Sequence, residues 1–570
     1  MRKLRVCALL CLSGVLAWSF EDAAVVDWIR ANAIPFRTSE HGQGFEDLQP
    51  LKKIIGNARI VALGEATHGT REFFQLKHRL LEFLNVEMGF TILAVETDMA
   101  SAYPLGTYIR SGPGDAKQLL RDSHWFYNQE NLSLVNWMKE ANKTEERHLE
   151  FAGIDMQVPG AAAAAVRQFV SKADPQLLST VSQAAEGAMR QPQRITDVGS
   201  VVVSLPLSVG AGKRIRLRGR IRTDSVTGLA RLFIYATGPF GNVSAKDPAD
   251  LKTKGSTDSQ TYEVELTVPK NTTNINFGAS LTGDGTAWFS DLALSTDDEE
   301  YPKTGVELLF PGKPPEGPWQ LGSGYRARLE APAALQIHRV AADPGRTLED
   351  RKALVASWDS IAQRLESSRS AYLKQGIPAT DIAWVIQCAR LVQQCMEMRS
   401  SPAAVNVRDA SMAQNVQWLL EQSPKAKIVV SAANGHVSTA KYGSFEPMGL
   451  HLRRMYGDQL VVFGFSFNRG SFQAYERTKG LKVFTVPPPP TGSLDATLAA
   501  TGIPMFAFDL RRMPATSPVA DWLAKPRQTR SIGGVYVEDA PYQYMAALDI
   551  PNSFDVLLFV ENTTAVRKVE

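Results

Sequence analysis

Apolar strand-like runs alternate with helical segments in the first third of the chain. The runs cover residues 59–64, 91–96 and 149–155, and helical periodicity covers residues 70–88 and 100–109. A strand without polar alternation is buried on both faces of its sheet, and strand–helix–strand units of this length form right-handed crossovers between parallel strands. We therefore predict an α/β domain with a mostly parallel sheet flanked by helices.

A different pattern begins near residue 195. From there to about residue 296 the chain is rich in Gly, Thr, Ser and Val, and polar and apolar residues alternate, as in residues 214–221 and 261–268. Short alternating strands between turn residues are typical of a β-sandwich. Residues 325–340 are expected to add further strands.

The α/β pattern returns after this all-β stretch. Helical periodicity runs from about residue 347 to 399 and again over 408–421, and apolar strands follow at 427–431, 459–466 and 554–560. The simplest arrangement is one α/β domain that is interrupted by an inserted all-β domain. The predicted divisions are 20–192 for the first part, 193–341 for the insert and 342–570 for the second part.

The first 19 residues have the features of a signal peptide. Arg2, Lys3 and Arg5 precede an apolar run, and Ala17 and Ser19 suit a peptidase site. The run is too short to span a bilayer, which takes about 20 residues. We expect a secreted or periplasmic protein with no membrane attachment after cleavage. A buried N-terminal helix is the alternative.

Composition excludes some classes of partner and of site. The chain has 570 residues, more than the roughly 250–300 at which a single hydrophobic core stops growing, so several domains are expected. A formal charge of +3, with no basic run interleaved with aromatics, predicts no nucleic-acid partner. Cys388 and Cys395 lie seven residues apart on a predicted helix, too far for a disulfide bond within it. We expect two buried thiols rather than a redox motif.

Polar and titratable residues follow the ends of four predicted strands. In open parallel sheets, ligands bind beyond the carboxyl ends of the strands, so these side chains are predicted to share one site. Each residue taken alone could instead cap a turn or a helix. The residues are Glu65, His68, Glu96, Asp155, Asn434 and His436.

The segment Gly64-Glu-Ala-Thr-His-Gly69 carries the most specific chemistry. Glu65 and His68 are three residues apart where the chain turns into a helix, so their side chains can lie on one face. A carboxylate beside an imidazole orients the ring and stabilises the imidazolium, which makes the histidine a competent general base for water. A helix N-cap with a surface histidine is the alternative.

Other catalytic motifs are missing from the sequence. Residues 464–468 come nearest to G-x-S-x-G but end in Asn468, and there is no H-E-x-x-H, P-loop or G-x-G-x-x-G after a strand. This favours attack by an activated water over a covalent serine route. A metal-dependent hydrolase remains an alternative, because two histidines and two carboxylates could hold a divalent ion.

At these motifs the sequence resembles the erythromycin esterase family. The resemblance covers nearly all of the chain outside the leader and the insert, and the motifs are specific as a set. They include Gly44-Phe-Glu-Asp-Leu48, residues 59–74, Lys77-His-Arg79, Gly153-Ile-Asp-Met-Gln157, Arg408-Asp409, Ala433-Asn-Gly-His436 and Phe554-Asp555.

The resemblance implies cofactor-free, metal-independent hydrolysis of an ester or macrolactone, the chemistry of macrolide antibiotic resistance. The residue matching His68 would activate water. At Ala433 this chain departs from the family, which often has a histidine at that position. The catalytic residues are then predicted to be His68, Glu65, Glu96 and His436. The predicted substrate-binding residues are Lys77, Arg71, Asp155, Arg408 and Asn434. The alternative from another class is a non-catalytic protein that binds a small ligand such as haem.

The insert resembles a carbohydrate-binding jelly roll, in motifs such as Gly219-Arg-Ile-Arg-Thr223 and Ala287-Trp-Phe-Ser-Asp-Leu292. The resemblance implies a carbohydrate partner, which would need exposed aromatics such as Tyr235 or Phe240. At least one of Trp288 and Phe289 is expected to face the core, since they are adjacent in an alternating strand. A structural insert that shapes or shields the cleft is the alternative.

Overall fold

The computed structural model describes most of the chain beyond residue 19. Among the residues it describes, no helix is both long and apolar enough to cross a membrane. The predicted signal peptide and Phe240 lie outside those residues, so cleavage and secretion stay predictions. The described residues are 20–569 except 124, 145–147, 191–197, 207–211, 239–240, 247–252, 270–271, 273, 298–299, 311–316, 322–324, 331–333, 340–347, 477–479, 537 and 539–543.

Two stretches of the chain build the α/β domain. The helices before the insert are α1 (Phe20–Asn32), α2 (Leu51–Ile55), α3 (Arg71–Met88), α4 (Met99–Arg110), α5 (Ala116–Asp122), α6 (Gln129–Ala141), α7 (Gly160–Ala173) and α8 (Leu178–Arg190). The strands before it are β1 (Ile34–Pro35), β2 (Ile60–Leu63), β3 (Ile92–Asp98) and β4 (Glu150–Asp155).

The insert supplies eleven strands among the described residues, and the second part of the α/β domain follows it. The insert strands are β5 (Val198–Pro206), β6 (Arg214–Val226), β7 (Ala230–Gly238), β8 (Gly241–Lys246), β9 (Gly255–Thr267), β10 (Asn274–Thr282), β11 (Thr286–Thr296), β12 (Glu300–Thr304), β13 (Trp319–Leu321), β14 (Tyr325–Glu330) and β15 (Ala334–Arg339). The later helices are α9 (Leu348–Ser367), α10 (Arg369–Lys374), α11 (Ala379–Ser400), α12 (Ala404–Gln422), α13 (Asn434–Val437), α14 (Met448–Tyr456), α15 (Leu494–Ala499), α16 (Pro518–Leu523) and α17 (Ile550–Ser553). The later strands are β16 (Ile428–Ser431), β17 (Leu460–Glu476), β18 (Gly480–Val486), β19 (Met505–Asp509), β20 (Arg527–Arg530), β21 (Met545–Leu548) and β22 (Val556–Thr563).

The main sheet confirms the predicted α/β class. Its strand order is β1-β19-β22-β17-β2-β16-β3-β4, with β18 paired to β17. The pairs from β22 to β4 along this order are all parallel, while β1, β19 and β18 pair antiparallel. Strand β16, from the second half of the chain, lies between β2 and β3. The carboxyl end of β16 is therefore flanked by the residues that follow β2 and those at the end of β3.

Both faces of this sheet are buried, as the uninterrupted apolar runs predict. Alternate residues of β2 point to opposite faces: Ile60 and Ala62 join one hydrophobic core, and Val61 and Leu63 join the other. Cys388 and Cys395 are buried free thiols on α11, which confirms the expectation for this pair. Burial raises the pKa of Cys395 to about 12, so this thiol stays protonated.

The sequence did not predict strand β19. It is short, it pairs antiparallel with β22 near the edge of the sheet, and Pro504 precedes it directly. Apolar runs of this length are not distinguishable from buried helical segments by periodicity alone.

The insert forms two antiparallel sheets with a hydrophobic core of their own. Phe289 is fully buried in that core, whereas Trp288 is half-buried and lies under the Arg222 guanidinium. Tyr235 is half-buried and stacks on Phe233. Carbohydrate binding by the insert stays a prediction.

Removing residues 193–341 should leave a soluble α/β domain. The two helices that flank the insert pack against each other: a Cβ added at Gly187 of α8 would lie 2.7 Å from Leu354 of α9. The ends to be joined are therefore held near each other without the insert, and the insert core shares no residue with the two cores of the main sheet. Circular dichroism and size-exclusion chromatography of the shortened protein check this. Aggregation would show that the insert covers part of the main core.

Candidate active site

Glu65 and His68 meet in the loop between β2 and α3. His68 Nδ1 lies 2.5 Å from Glu65 Oε1. The contact forms within the loop and not along a helix face, because α3 begins only at Arg71. No hydrogen bond to Nε2 of His68 is found among the described residues. The histidine thus has one oriented nitrogen and one that is available to a ligand.

Close packing, rather than unusual backbone angles, requires glycine at the two ends of this loop. A Cβ at Gly64 would lie 2.1 Å from Asn434 Oδ1, and a Cβ at Gly69 would lie 1.9 Å from the Gln473 carbonyl oxygen. Neither glycine has a positive φ. The loop is therefore pressed against β17 and against the segment that follows β16.

Lys77 fixes the other oxygen of Glu65. Its Nζ donates to Glu65 Oε2 at 2.5 Å and to Ser431 Oγ at 3.0 Å. Burial alone would raise the pKa of Glu65, but Lys77 and His68 outweigh burial and lower it. Glu65 therefore stays ionised and keeps the imidazole of His68 in a fixed orientation.

Arg408 on α12 holds a second group of charged side chains. Its Nη2 donates to Asp155 Oδ2 at 2.7 Å and to Glu96 Oε1 at 2.9 Å. Glu96 also accepts from the Ala433 backbone N–H at 2.9 Å. The pairing of β3 with β4 shifts register between Val95 and Asp98, so Glu96 lies in an irregular part of β3, where bulges commonly re-aim side chains.

His436 has a carboxylate at each nitrogen. Its Nδ1 lies 2.8 Å from Asp409 Oδ1, and its Nε2 lies 3.3 Å from Glu96 Oε1 and 3.1 Å from Arg408 Nη1. Burial opposes the charged ring, but Glu96 and Asp409 outweigh it and raise the pKa of His436 to about 10. Burial likewise opposes the charge of Glu96, yet His436 and Arg408 hold the pKa of Glu96 well below its usual range. The raised pKa favours the imidazolium form of His436 at neutral pH, which makes this ring a poor acceptor for a proton from water.

The two groups adjoin through the chain that follows β16. The Asn434 backbone N–H donates to the Glu65 carbonyl oxygen at 2.9 Å, two residues before His436. His68 also contributes electrostatically to lowering the pKa of Glu96. The structure therefore brings the predicted catalytic residues to one edge of the sheet, beyond the carboxyl ends of β2, β16 and β3.

Exposure divides these side chains into two layers. The side chains that remain 14–18% exposed are His68, Glu96, Arg408 and His436. Those that are 0–6% exposed are Glu65, Lys77, Asp155 and Asp409. The partly exposed side chains can touch a ligand, and the buried side chains hold the partly exposed ones in place from beneath.

Two of the predicted substrate-binding residues lie apart from this surface. Both ends of the Asn434 amide are bonded to the Phe465 backbone, at 2.8 and 3.0 Å, so the side chain ties the loop to β17. Arg71 lies 3.5 Å from Glu40 and 3.7 Å from Glu130. No ion pair or hydrogen bond with the Glu65 or Glu96 groups is found for Arg71 in the described part of the chain. Their substrate-binding role stays a prediction.

Sequence reasoning did not assign three parts of the site. Asp409 was visible only as the neighbour of Arg408, and nothing in its spacing pointed to His436. Phe126 stacks on His68 with ring centroids 5.0 Å apart, and its place in a Trp-Phe-Tyr run between α5 and α6 was the available signal. The loop after β20 covers the other side: Gly533 O accepts from the His68 backbone N–H at 3.3 Å.

The unfolding free energy should reveal the charge of His436. Because its pKa in the folded protein, about 10, exceeds the value of 6.5 for a free histidine, its stabilising contribution is complete below pH 6.5. That contribution is lost as the pH rises from 6.5 to about 10. The stability difference between wild type and His436→Gln should therefore narrow over this range in urea titrations. A difference independent of pH would show that His436 is neutral in the fold.

The model of the family described as erythromycin esterase matches residues 86–214 and 324–563, which is more than half of the chain. This chain belongs to the erythromycin esterase family. The gap between the matched segments falls within the insert, so the antiparallel sheets interrupt the family fold.

Curated members of the erythromycin esterase family and a putative hydrolase are similar to shorter stretches. The erythromycin esterase type II of Escherichia coli is 33% identical over 163 residues, covering 28% of this chain and 39% of that protein. The putative hydrolase YbfO of Bacillus subtilis is 30% identical over 159 residues, covering 27% and 34%. The chain thus spans about two fifths or less of the length of these relatives.

Solved structures share the fold over nearly the whole chain. A Bacillus cereus protein superposes with a TM-score of 0.62 at 19% identity, covering 96% of this chain and 99% of that one. A mutant of the erythromycin esterase EreC in an open conformation has a TM-score of 0.51 at 13% identity, with coverage of 91% and 94%. At these identities the likeness extends to the fold alone.

Proposed function

We propose that this protein hydrolyses esters or lactones by general-base activation of water, with His68 as the base. The observation that carries the proposal is the difference between the two histidines. His68 has Nδ1 on Glu65, and its Nε2 has no hydrogen-bond partner among the described residues, whereas His436 has a carboxylate at both nitrogens. A general base needs an available nitrogen within reach of its water, and His68 meets that requirement.

The reaction would proceed through a tetrahedral intermediate. Nε2 of His68 takes a proton from water as the water oxygen attacks the ester carbonyl carbon. The carbonyl oxygen becomes an oxyanion, and the ionised Glu65 stabilises the imidazolium that has formed. The oxyanion then re-forms the carbonyl, the C–O bond to the alcohol breaks, and His68 returns its proton to the leaving oxygen.

The Arg408 and His436 cations are positioned to favour the oxyanion. Both side chains are partly exposed and both are held by buried carboxylates, so their charges are fixed before the substrate arrives. Preorganised positive charge at a developing oxyanion is often the largest single contribution to catalysis. The buried partners Asp155 and Asp409 are positioning residues in this scheme, as is Lys77 beneath Glu65.

Aromatic side chains beside the base suit an apolar substrate. Phe126 stacks on His68 and is 37% exposed, and the adjacent Tyr127 is equally exposed. Exposed aromatics next to a polar cluster are typical of pockets that bind apolar ligands. The name of the E. coli relative adds support for a macrolactone, although Ala433 stands where the family often has a histidine.

A panel of aryl esters, aliphatic lactones and a macrolide, assayed with purified protein in the presence and absence of a chelator, tests the proposal. We expect hydrolysis of at least one ester or lactone at equal rates in both conditions. Activity that disappears in the chelator and returns with zinc would indicate a metal-dependent hydrolase. Binding of ligands without turnover across the panel would indicate a binding protein.

A further inference from the structure

A second group of potential ligand side chains lies along α3, the helix that follows the loop carrying His68. It consists of His78 and Glu82 on α3 and His41 in the loop between β1 and α2. One potential ligand atom from each of the three lies within 4.8 Å of the other two. His78 and Glu82 are four residues apart, so they project from the same face of the helix.

Hydrogen bonds hold the loop that carries His41 against α3 on both sides of the three potential ligands. Ser39 Oγ donates to Gln75 Oε1 at 3.0 Å, and the Gly42 backbone N–H donates to Glu82 Oε2 at 2.8 Å. Arg79 donates to the Gly44 carbonyl oxygen at 2.7 Å. These contacts hold the three side chains together without using the imidazole nitrogens.

The imidazole of His78 is buried with an unsatisfied nitrogen. The residue is 2% exposed, and its Nε2 has no hydrogen-bond partner among the described residues. A buried polar atom without a partner destabilises a fold, so such atoms in native proteins call for an explanation. Burial, with a smaller contribution from His41, lowers the pKa of His78 to about 2, which leaves the ring in the neutral form that metals bind.

We propose that His41, His78 and Glu82 bind a divalent transition metal ion of the zinc class. Two imidazoles and one carboxylate match the ligand types that zinc takes in three-residue sites, where water completes the coordination. Tetrahedral zinc with bonds of about 2.0–2.2 Å needs ligand atoms roughly 3.3–3.6 Å apart, and the three ligand atoms here lie within 4.8 Å of one another. The rings of His41 and His78 are stacked, with centroids 3.9 Å apart and planes 15° apart.

Rotation of the His41 side chain would bring the three ligand atoms close enough to bind one ion. The nitrogen lone pairs of two stacked rings lie in separate, nearly parallel planes, so one of the rings must turn before both can bind the same ion. His78 is fixed by burial and by Trp137, whose ring centroid lies 5.2 Å away. The His41 side chain is 38% exposed and stands in a turn, so it can rotate toward the ion. Its Nδ1 already lies 3.9 Å from Glu82 Oε1.

The bound ion would act as a structural clamp and would be separate from the proposed catalytic cluster. It would join the loop after β1 to the helix whose Lys77 holds Glu65. Because it binds the folded protein, where the three ligands are close, it should raise the melting temperature with increasing metal concentration.

Isothermal titration of metal-free protein with zinc chloride tests the proposal. We expect one zinc ion per chain in wild type, and a loss of affinity in His41→Ala and Glu82→Gln that exceeds the roughly 10–100-fold typical of an outer-shell partner. Glu82→Gln keeps an acceptor for the Gly42 N–H, and His41 is half-exposed, so both variants should fold. Cobalt chloride should give visible absorption bands in wild type that are lost in His41→Ala.

The control variants separate this site from the catalytic cluster. His148→Ala removes an exposed histidine elsewhere, and His68→Ala removes the proposed base; both should bind zinc as wild type does. Zinc binding that His68→Ala abolishes and His41→Ala leaves unchanged would overturn the proposal and place the ion at the catalytic cluster. The absence of saturable one-to-one binding would also overturn it.

Discussion

Replacing His68 by alanine should lower the rate of ester hydrolysis by about 10²–10⁴-fold, and by more if the site acts as a unit. The physical reason is the loss of the nitrogen that takes the proton from water. The fold should survive, because His68 is at the edge of the cluster and Glu65 keeps its ion pair with Lys77. Steady-state kinetics with the best ester of the panel, together with a urea titration, measure both effects.

A pair of variants separates orientation of the base from stability. Glu65→Gln should lower the rate, because the imidazolium loses its counter-charge, and should also destabilise the fold, because buried Lys77 loses its ion-pair partner. Adding Lys77→Met removes that unpaired charge. We expect the double variant to regain much of the stability but none of the rate.

The matching substitution at the second histidine decides between the two candidate bases. His436→Gln removes a fixed positive charge in the proposed scheme and leaves the base in place. If His68→Ala retained full activity while His436→Gln lost it, the assignment of the base would be wrong. Comparable small losses in both variants would indicate that neither histidine takes part in proton transfer.

Replacing Arg408 by methionine should destabilise the protein by about 3–5 kcal/mol, because the buried Asp155 loses its cation and the partly buried Glu96 keeps only His436. Arg408 donates two hydrogen bonds from Nη2, one each to Asp155 and Glu96, and a third from Nε to Asp155 at 3.1 Å. Methionine fills a similar volume but supplies neither charge nor donors. Activity should be lost as well, since Glu96 and His436 lose a neighbour that fixes them.

Two control variants show whether the loss of stability comes from the hydrogen bonds that the Arg408 guanidinium donates to Asp155 and Glu96. Arg408→Lys keeps the charge but not the planar set of donors, so its cost should be smaller. Lys143→Met removes an exposed ion pair with Glu140, whose side chains are 64% and 70% exposed, and such pairs contribute about 0–1 kcal/mol. Urea titrations of all three variants under one condition give the comparison. Equal losses for Arg408→Met and Lys143→Met would contradict the buried network.

The sequence by itself determined the class of fold and the loops that bear the chemistry. Apolar runs such as residues 59–64 and 427–431 have no polar alternation, which is a local property that requires burial on both faces. The alternation of polar and apolar residues that begins near residue 195 is also a local property of the chain, and it indicated the insert. Glu65 and His68 are close in sequence, so their contact could also be expected before the fold was known.

Only the tertiary structure decided which residues of distant segments meet. The sequence does not show that β16 lies between β2 and β3, because strand order is set by packing across the whole sheet. That order brings His436 to Glu96, and the packing of α12 places Asp409 against the other nitrogen of the ring. The two histidines are alike as residues in a chain. Their surroundings differ because His68 meets a carboxylate three residues away, whereas His436 meets Glu96, which the fold brings from the first part of the chain.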